Sequence, residues 1–199
     1  MRSILKGGSS DDGHFPEEWI ASTVKARNPG SKHEEGLSFV ELEGGAACLL
    51  KDLIESDPEG MLGADHVRKF GSNPGVLVKL LDSAERLTIQ VPPDRETAQL
   101  LFGSTFGKTE AWYVLGTRRI DGANPYVLFG FKPGVTRERW EKLFDQQDIE
   151  GMIQSLNKIE IEPGQVLLVE AGIPHAIGPG CFLLEIQEPT DYTIRVERT

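Results

Sequence analysis

The hydrophobic pattern changes character near Gly75. Before it, residues 18–24 alternate enough for a strand, and residues 46–56 space their apolar positions as a helix does, stopping at Pro58. Residues 65–70 read as another short helical turn, while 7–13 and 27–37 are polar, glycine-containing loops. After Gly75, short apolar runs between Gly/Pro corners predict strands over 76–81, 86–91, 108–115, 126–131, 158–162, 165–170, 181–187 and 193–197. Pro92-Pro93 closes the second of these, and Asp94 is placed to cap a helix over 95–102. Residues 136–155 carry one or two helices with Trp140, Leu143, Phe144, Ile149, Met152 and Ile153 on their apolar faces. Many short strands with tight corners, plus a helical insertion, predict a mainly β barrel or jelly roll with helices outside.

Composition narrows the class. At 199 residues and 39% hydrophobic, the chain suits one globular domain that buries a real core without staples. Its net charge of −10 sets up a field that repels polyanions, which argues against a bare nucleic-acid or anionic-membrane binder. A phosphorylated ligand would therefore need a local basic pocket. No run approaches the roughly 18 apolar residues of a membrane helix, and residues 1–12 lack the apolar segment of a signal peptide. Cys48 and Cys181 stand far apart, so neither a disulfide framework nor a thiolate zinc site is expected, and a reducing cytoplasm is the expected location.

The most informative stretch is 163–188, PGQVLLVEAGIPHAIGPGCFLLEIQE. A turn and a strand lead to Gly172-Ile173-Pro174-His175, which sets an imidazole just past a tight corner, as in the second cupin motif. Glu185 and Gln187 alternate with Leu184 and Ile186 on the strand that follows. If the polar pair faces the interior, Glu185 is an acid/base candidate; if it faces solvent, the pattern is ordinary. His14, His33 and His66 read as surface residues, and Cys181 as core. Trp112 and Tyr113 suit core packing better than a sugar site, and Trp140 reads as a helix anchor. Glycine-rich stretches such as GGSS lack the strand–glycine–helix setting of a nucleotide loop.

Three segments in order, LVKLLDSAERLTIQVPPD (77–94), GKTEAWY (107–113) and the His175 stretch running into EIQEPTDYTIRV (185–196), resemble type I phosphomannose isomerases, metal-dependent cupin enzymes. The resemblance spans about residues 19–198. It implies a single phosphomannose isomerase-like cupin domain over 1–199, with a helical insertion at about 134–157 and without the family's C-terminal β domain. It also implies a divalent metal, usually zinc, and places Gln90, Glu110 and His175 at three of the family's four ligand positions. The fourth falls on Pro92, which has no donor atom, so the metal site departs from the family's pattern. By the same resemblance Arg195 is an active-site residue, and Lys79 and Lys108 are substrate-binding candidates that hold a sugar phosphate or assist proton transfer.

The activity implied is interconversion of mannose 6-phosphate and fructose 6-phosphate by metal-assisted proton transfer, with Arg195 and Glu185 as the catalytic candidates. The alternative is a non-catalytic cupin that binds a sugar or sugar phosphate and has lost its full metal site. A metal-dependent oxygenase on the same barrel ranks last, because it needs two histidines and a carboxylate and His175 is the one credible histidine. The partner expected is a small sugar phosphate, not a nucleic acid or a membrane.

Overall fold

The computed structural model describes residues 16–27, 30 and 33–198. His14 and the 7–13 loop lie outside them. Two five-stranded antiparallel sheets face each other. Sheet A runs β1 (Glu17–Ile20), β4 (Leu77–Asp82), β11 (Cys181–Gln187), β6 (Glu110–Thr117), β9 (Val166–Val169). Sheet B runs β12 (Ile194–Arg195), β5 (Gln90–Val91), β10 (His175–Ile177), β7 (Tyr126–Phe131), β8 (Leu156–Glu160). The remaining strands, β2 (Phe39–Glu41) and β3 (Ala47–Leu49), form a separate ribbon. This is the mainly β, cupin-type sandwich that the pattern predicts.

Alternation builds the core. On β6, Trp112 and Val114 are fully buried while Tyr113 points outward, so the interior row packs with Leu81, Leu183, Val127 and Val169 between the sheets. A second core lies outside sheet B. Helices α5 (Arg137–Gln146) and α6 (Ile149–Ser155) lay Trp140, Leu143, Phe144 and Ile149 against Leu128, Met152 and Ala176. Trp140 is the anchor expected, meeting Phe131 edge-on at 4.9 Å between ring centroids. α4 (Arg95–Phe102) begins where predicted, Asp94 Oδ1 accepting the Thr97 N–H at 2.7 Å.

Three expectations need correction. Residues 46–56 are not helical throughout: 47–49 form β3, and α1 covers Leu50–Ser56, followed by α2 (Pro58–Leu62) and α3 (Ala64–Phe70). A second helical segment therefore precedes the strand-rich part. Residues 86–91 are a strand only at their end. The Leu87 N–H goes to Ile177 O and the Ile89 N–H to the Glu197 carboxylate, which leaves no ladder to continue. His175 stands just past the Gly172 corner as expected, but it opens a strand, β10, that the pattern does not predict. No helix among the described residues is long and apolar enough to cross a membrane.

The C-terminal strand is held by a buried fork. Arg86 donates to both oxygens of Glu197, at 2.6 and 2.9 Å, and Ile89 N–H donates at 2.6 Å. Burial by itself would raise the Glu197 pKa; the Arg86 and Ile89 donors overcome it and hold the carboxyl below its ordinary value. Its stabilising contribution is thus present above about pH 4.5 and fades as pH falls through the depressed folded value. Arg86→Met is expected to lower stability at pH 7 by about 2 kcal/mol, less than a fully dry pair loses, because Arg86 retains solvent contact. The deficit should shrink below pH 4, where Glu197 becomes neutral. Urea unfolding at pH 7 and pH 4 measures both.

Candidate functional site

The site is built from one rung of each sheet. In sheet B, Gln90 is paired with Arg195 on one side and His175 on the other. In sheet A, Glu110 is paired with Gln187 and Val169. Residues opposite one another in antiparallel strands share a face, so Gln90, His175 and Arg195 project from the same side of sheet B. His175 and Glu110 meet across the interior, Nε2 to Oε1, at 3.1 Å, and Gln90 Nε2 lies 2.9 Å from the same ring nitrogen. The three candidate ligands thus converge as expected, although they come from distant segments.

Two local features fix this geometry. Gly172 turns the corner before β10 at φ +85, and its N–H donates to Pro92 O at 2.8 Å. That bond ties the histidine corner to the end of the Gln90 strand. Gly107 lies against the Pro93–Arg95 backbone so closely that a Cβ there would stand 2.8 Å from Pro93 O. The GKTE segment therefore docks onto PPD through main chain, the Lys108 N–H reaching Pro93 O at 2.9 Å.

His175 is wholly buried, with Trp112 edge-on to it at 5.1 Å. Its Nδ1 lies 3.0 Å from Ile173 O and donates there, so in the neutral ring Nε2 presents its lone pair to the site. Both Glu110 oxygens are buried without a hydrogen-bond partner, although Lys108 Nζ stands 2.7 Å from Oε2. A lone pair facing a carboxylate oxygen at 3.1 Å calls for a proton or a cation between them. Donor separations of 2.9–3.1 Å are also close to the roughly 3.3 Å edge of a tetrahedron with metal–ligand bonds of about 2.0–2.1 Å. An imidazole, a carboxylate and an amide whose oxygen can turn inward fit a divalent metal with an open position. Among the described residues no group of three or more His, Cys, Asp or Glu could hold a metal ion; this set reaches three through Gln90. Pro92 is buried beside it and adds no donor.

The lysines are ion-paired inside the barrel. Lys108, buried beside Glu110, is raised above the usual lysine range: burial alone would lower it, but Glu110 and Glu185 outweigh that. Burial likewise opposes ionisation of Glu110, yet Lys108 and His175 hold it well below the carboxylate range. One rung deeper, Lys79 is set opposite Glu185, which is opposite Trp112. Lys79 Nζ lies 3.6 Å from Glu185 Oε1 and 3.3 Å from Glu17 Oε2, and Trp112 Nε1–H donates to Glu185 Oε2 at 2.9 Å. Glu185 and Gln187 both face the interior, 3% exposed, whereas Ile186 outside is 46% exposed. Burial, reinforced by Glu110, raises the Glu185 pKa against the pull of Lys108 and Lys79. Arg195 is exposed on the edge strand.

Neither Glu17 nor Trp19 stands out as a site residue in the amino-acid pattern. Both reach Lys79, Trp19 as a ring 4.6 Å below the ammonium, because β1 pairs with β4 in a register that neither segment reveals alone. Tyr113 is 42% exposed on the outer face, so it neither lines the site nor packs the core. His33 is exposed as expected; His66 is half-buried, its Nε2 2.8 Å from Asn73 O. Cys181 is core, its thiol pushed up to about 11 by burial. A cleft of about 500 Å³ lined by Arg118, Arg119, Glu160 and Glu162 lies at the opposite end of β6 from Glu110, away from these groups.

Comparison with known proteins agrees with this fold. The chain is 36% identical over 136 residues to "Probable mannose-6-phosphate isomerase GmuF" of Bacillus subtilis, covering 66% of this chain and 41% of that one. It is 31% identical over 170 residues to the mannose-6-phosphate isomerase of Streptococcus mutans, covering 83% of this chain and 48% of the relative. Among solved structures, the Bacillus subtilis mannose 6-phosphate isomerase superimposes with a TM-score of 0.72 at 28% identity, over 92% of this chain and 51% of that one. No family model matches. The chain spans about half the length of the curated relatives it matches.

Proposed function

This chain belongs to the type I phosphomannose isomerase family, and from that premise we propose that it interconverts mannose 6-phosphate and fructose 6-phosphate. The observation that carries the proposal is the meeting of Gln90, Glu110 and His175 from both sheets, with buried lysines beneath and beside them. Gln90, Glu110 and His175 would hold a divalent metal such as zinc. When bound, it supplies an electrophile for the carbonyl and hydroxyl oxygens of the open-chain sugar, worth several kcal/mol of charge stabilisation.

The chain's own groups do the rest. The Ile173 carbonyl fixes the His175 ring, so that its Nε2 stays aimed at the site. Arg195, on the same face as Gln90, offers a planar guanidinium to the phosphate or to an oxyanion. Lys108 and Lys79 supply cationic charge to a substrate whose phosphate the protein's overall charge would repel. Glu185, a carboxylate made more basic by burial, takes the proton from one of C1 and C2 and returns it to the other.

The test is a coupled assay of both directions of interconversion, with metal content measured on the purified chain and after addition of zinc, manganese or cobalt. Metal-dependent turnover is expected. Sugar phosphate binding without turnover would support the non-catalytic alternative instead. Pro92→His adds an imidazole two residues past Gln90 and is expected to tighten metal binding at least about tenfold, as a further neutral ligand should. Unchanged affinity in a metal-buffer titration would count against a site shared by these residues.

A further inference from the structure

Lys79, Lys108, Glu110, His175 and Glu185 are all buried. Glu17, which reaches them from the edge strand β1, is not: its side chain is 38% exposed, against 5% for the Lys79 it pairs with at 3.3 Å. Register explains the contact. Glu17 stands opposite Leu81 and Trp19 opposite Lys79, so both lie on the interior face of sheet A, at its edge. Trp19 Nε1–H donates to the same Glu17 oxygen at 2.9 Å, and its ring lies 4.6 Å from Lys79 Nζ. The carboxylate is thus held against a buried ammonium from the solvent side. Burial by itself would raise the Glu17 pKa; Lys79, the Trp19 donor and Lys108 overcome it and hold the carboxyl below its ordinary value. A charge pointing inward from an edge strand commonly guards that edge against pairing with another chain. The charge balance here points further. Lys79 and Lys108 already stand against Glu185 and Glu110 inside the barrel, and Asp191 adds negative charge near both lysines. Neutralising the buried ammoniums does not require Glu17.

We propose that Glu17 is a tethered anion that holds the place of the substrate's anionic group on Lys79, and that a phosphorylated ligand binds by displacing it. The inference rests on the proposed sugar phosphate specificity, in which Lys79 contacts the phosphate. Displacement is feasible because the two partners are buried unequally. Glu17 is already in contact with water, so turning outward restores its hydration at little cost. Lys79 is closed off from water and exchanges one anion for another. A phosphate monoester competes well for that position, bringing nearly two negative charges and three acceptor oxygens against the single charge of a carboxylate. Glu17 therefore keeps the ammonium fully paired in the free protein and lowers the affinity for the anion that replaces it.

Calorimetric titration of the whole chain with inorganic phosphate tests this without requiring turnover. Glu17→Gln keeps the shape of the side chain and an oxygen for the Trp19 donor but removes the charge. It is expected to bind phosphate at least about fivefold more tightly than the native chain, the scale of a partly exposed ion pair. Glu18→Gln makes the same change in net charge on the other face of β1 and is expected to leave the affinity unchanged. With mannose 6-phosphate as substrate, Glu17→Gln should lower KM by a similar factor with kcat unchanged. A second measurement needs no variant. In the native chain the Trp19 indole loses its acceptor as Glu17 leaves, so its N–H resonance should move as phosphate is added, while that of Trp140, packed on Phe131 outside sheet B, stays in place. Equal phosphate affinity in the native and Glu17→Gln chains overturns the proposal. So does a Trp19 resonance that phosphate leaves unmoved, or the failure of both chains to bind millimolar phosphate. Tighter phosphate binding by a Glu17→Gln chain that, like the native one, does not isomerise mannose 6-phosphate would uphold the place-holder and remove the isomerase reading alone.

Discussion

On the proposed function, His175→Ala is expected to strip the protein of bound metal and to lower the isomerisation rate at least about 1,000-fold. The size follows from the electrophile's contribution of several kcal/mol, each 1.36 kcal/mol being tenfold in rate. The substitution removes the one neutral imidazole among the candidate ligands. It also leaves Glu110 Oε1 and Gln90 Nε2 facing a gap instead of a ring nitrogen at 3.1 and 2.9 Å. Metal content by plasma emission and turnover by coupled assay should fall together. His66→Ala on α3 has no such setting, its ring resting on Phe70 and the Asn73 carbonyl, and should retain both. Full metal occupancy and turnover in His175→Ala would remove the site from this place in the barrel. A His175→Gln chain, which restores an oxygen donor, should recover part of the metal before it recovers activity.

What the sequence discloses about this site follows from how each contact is made. The PPD cap, the GKTE segment and the Gly172 corner are local devices. Their residues lie within a few positions of the ligands they place, so the short motifs that carry the family resemblance also carry Gln90, Glu110 and His175. Register is not local. Lys79 meets Glu17 and Trp19 because β1 pairs with β4, and an apolar strand states only that it pairs, not with which partner or in which step. Residues 86–91 mislead for a related reason. Their alternation suits a strand, yet their N–H groups are satisfied by one crossing bond and by the Glu197 carboxylate. The ribbon of β2 and β3 is hidden because Ala47–Leu49 runs straight into α1, which lets a single apolar spacing cover both. The apolar outer face of sheet A is hidden differently: strands with apolar residues on both sides read as buried, while the alternation at 184–187 shows a polar pair without saying which side is the interior.

Lys108→Met is expected to lower the stability of the metal-free protein by about 3–5 kcal/mol, the loss typical when one partner of a buried ion pair is removed. The methionine fills most of the lysine's volume, so the deficit belongs to Glu110, whose Oε2 loses an ammonium at 2.7 Å and has no hydrogen bond to replace it. For a domain of this size that is a fall in Tm of roughly 10 °C. The pH dependence gives the sign. In the native chain Glu110 is held well below its ordinary value, so its contribution is present above about pH 4.5 and fades as pH falls through the depressed value. Without Lys108 burial gains the upper hand, the Glu110 pKa rises, and the variant's deficit should be greatest at neutral pH and smallest in acid. A divalent cation held by Gln90, Glu110 and His175 would supply the missing positive charge, so added zinc should raise the Tm of the variant more than that of the native chain. Calorimetry with and without metal reads both effects. A variant as stable as the native chain at pH 7, or one that zinc leaves unmoved while it stabilises the native chain, would mean that Lys108 does not balance Glu110.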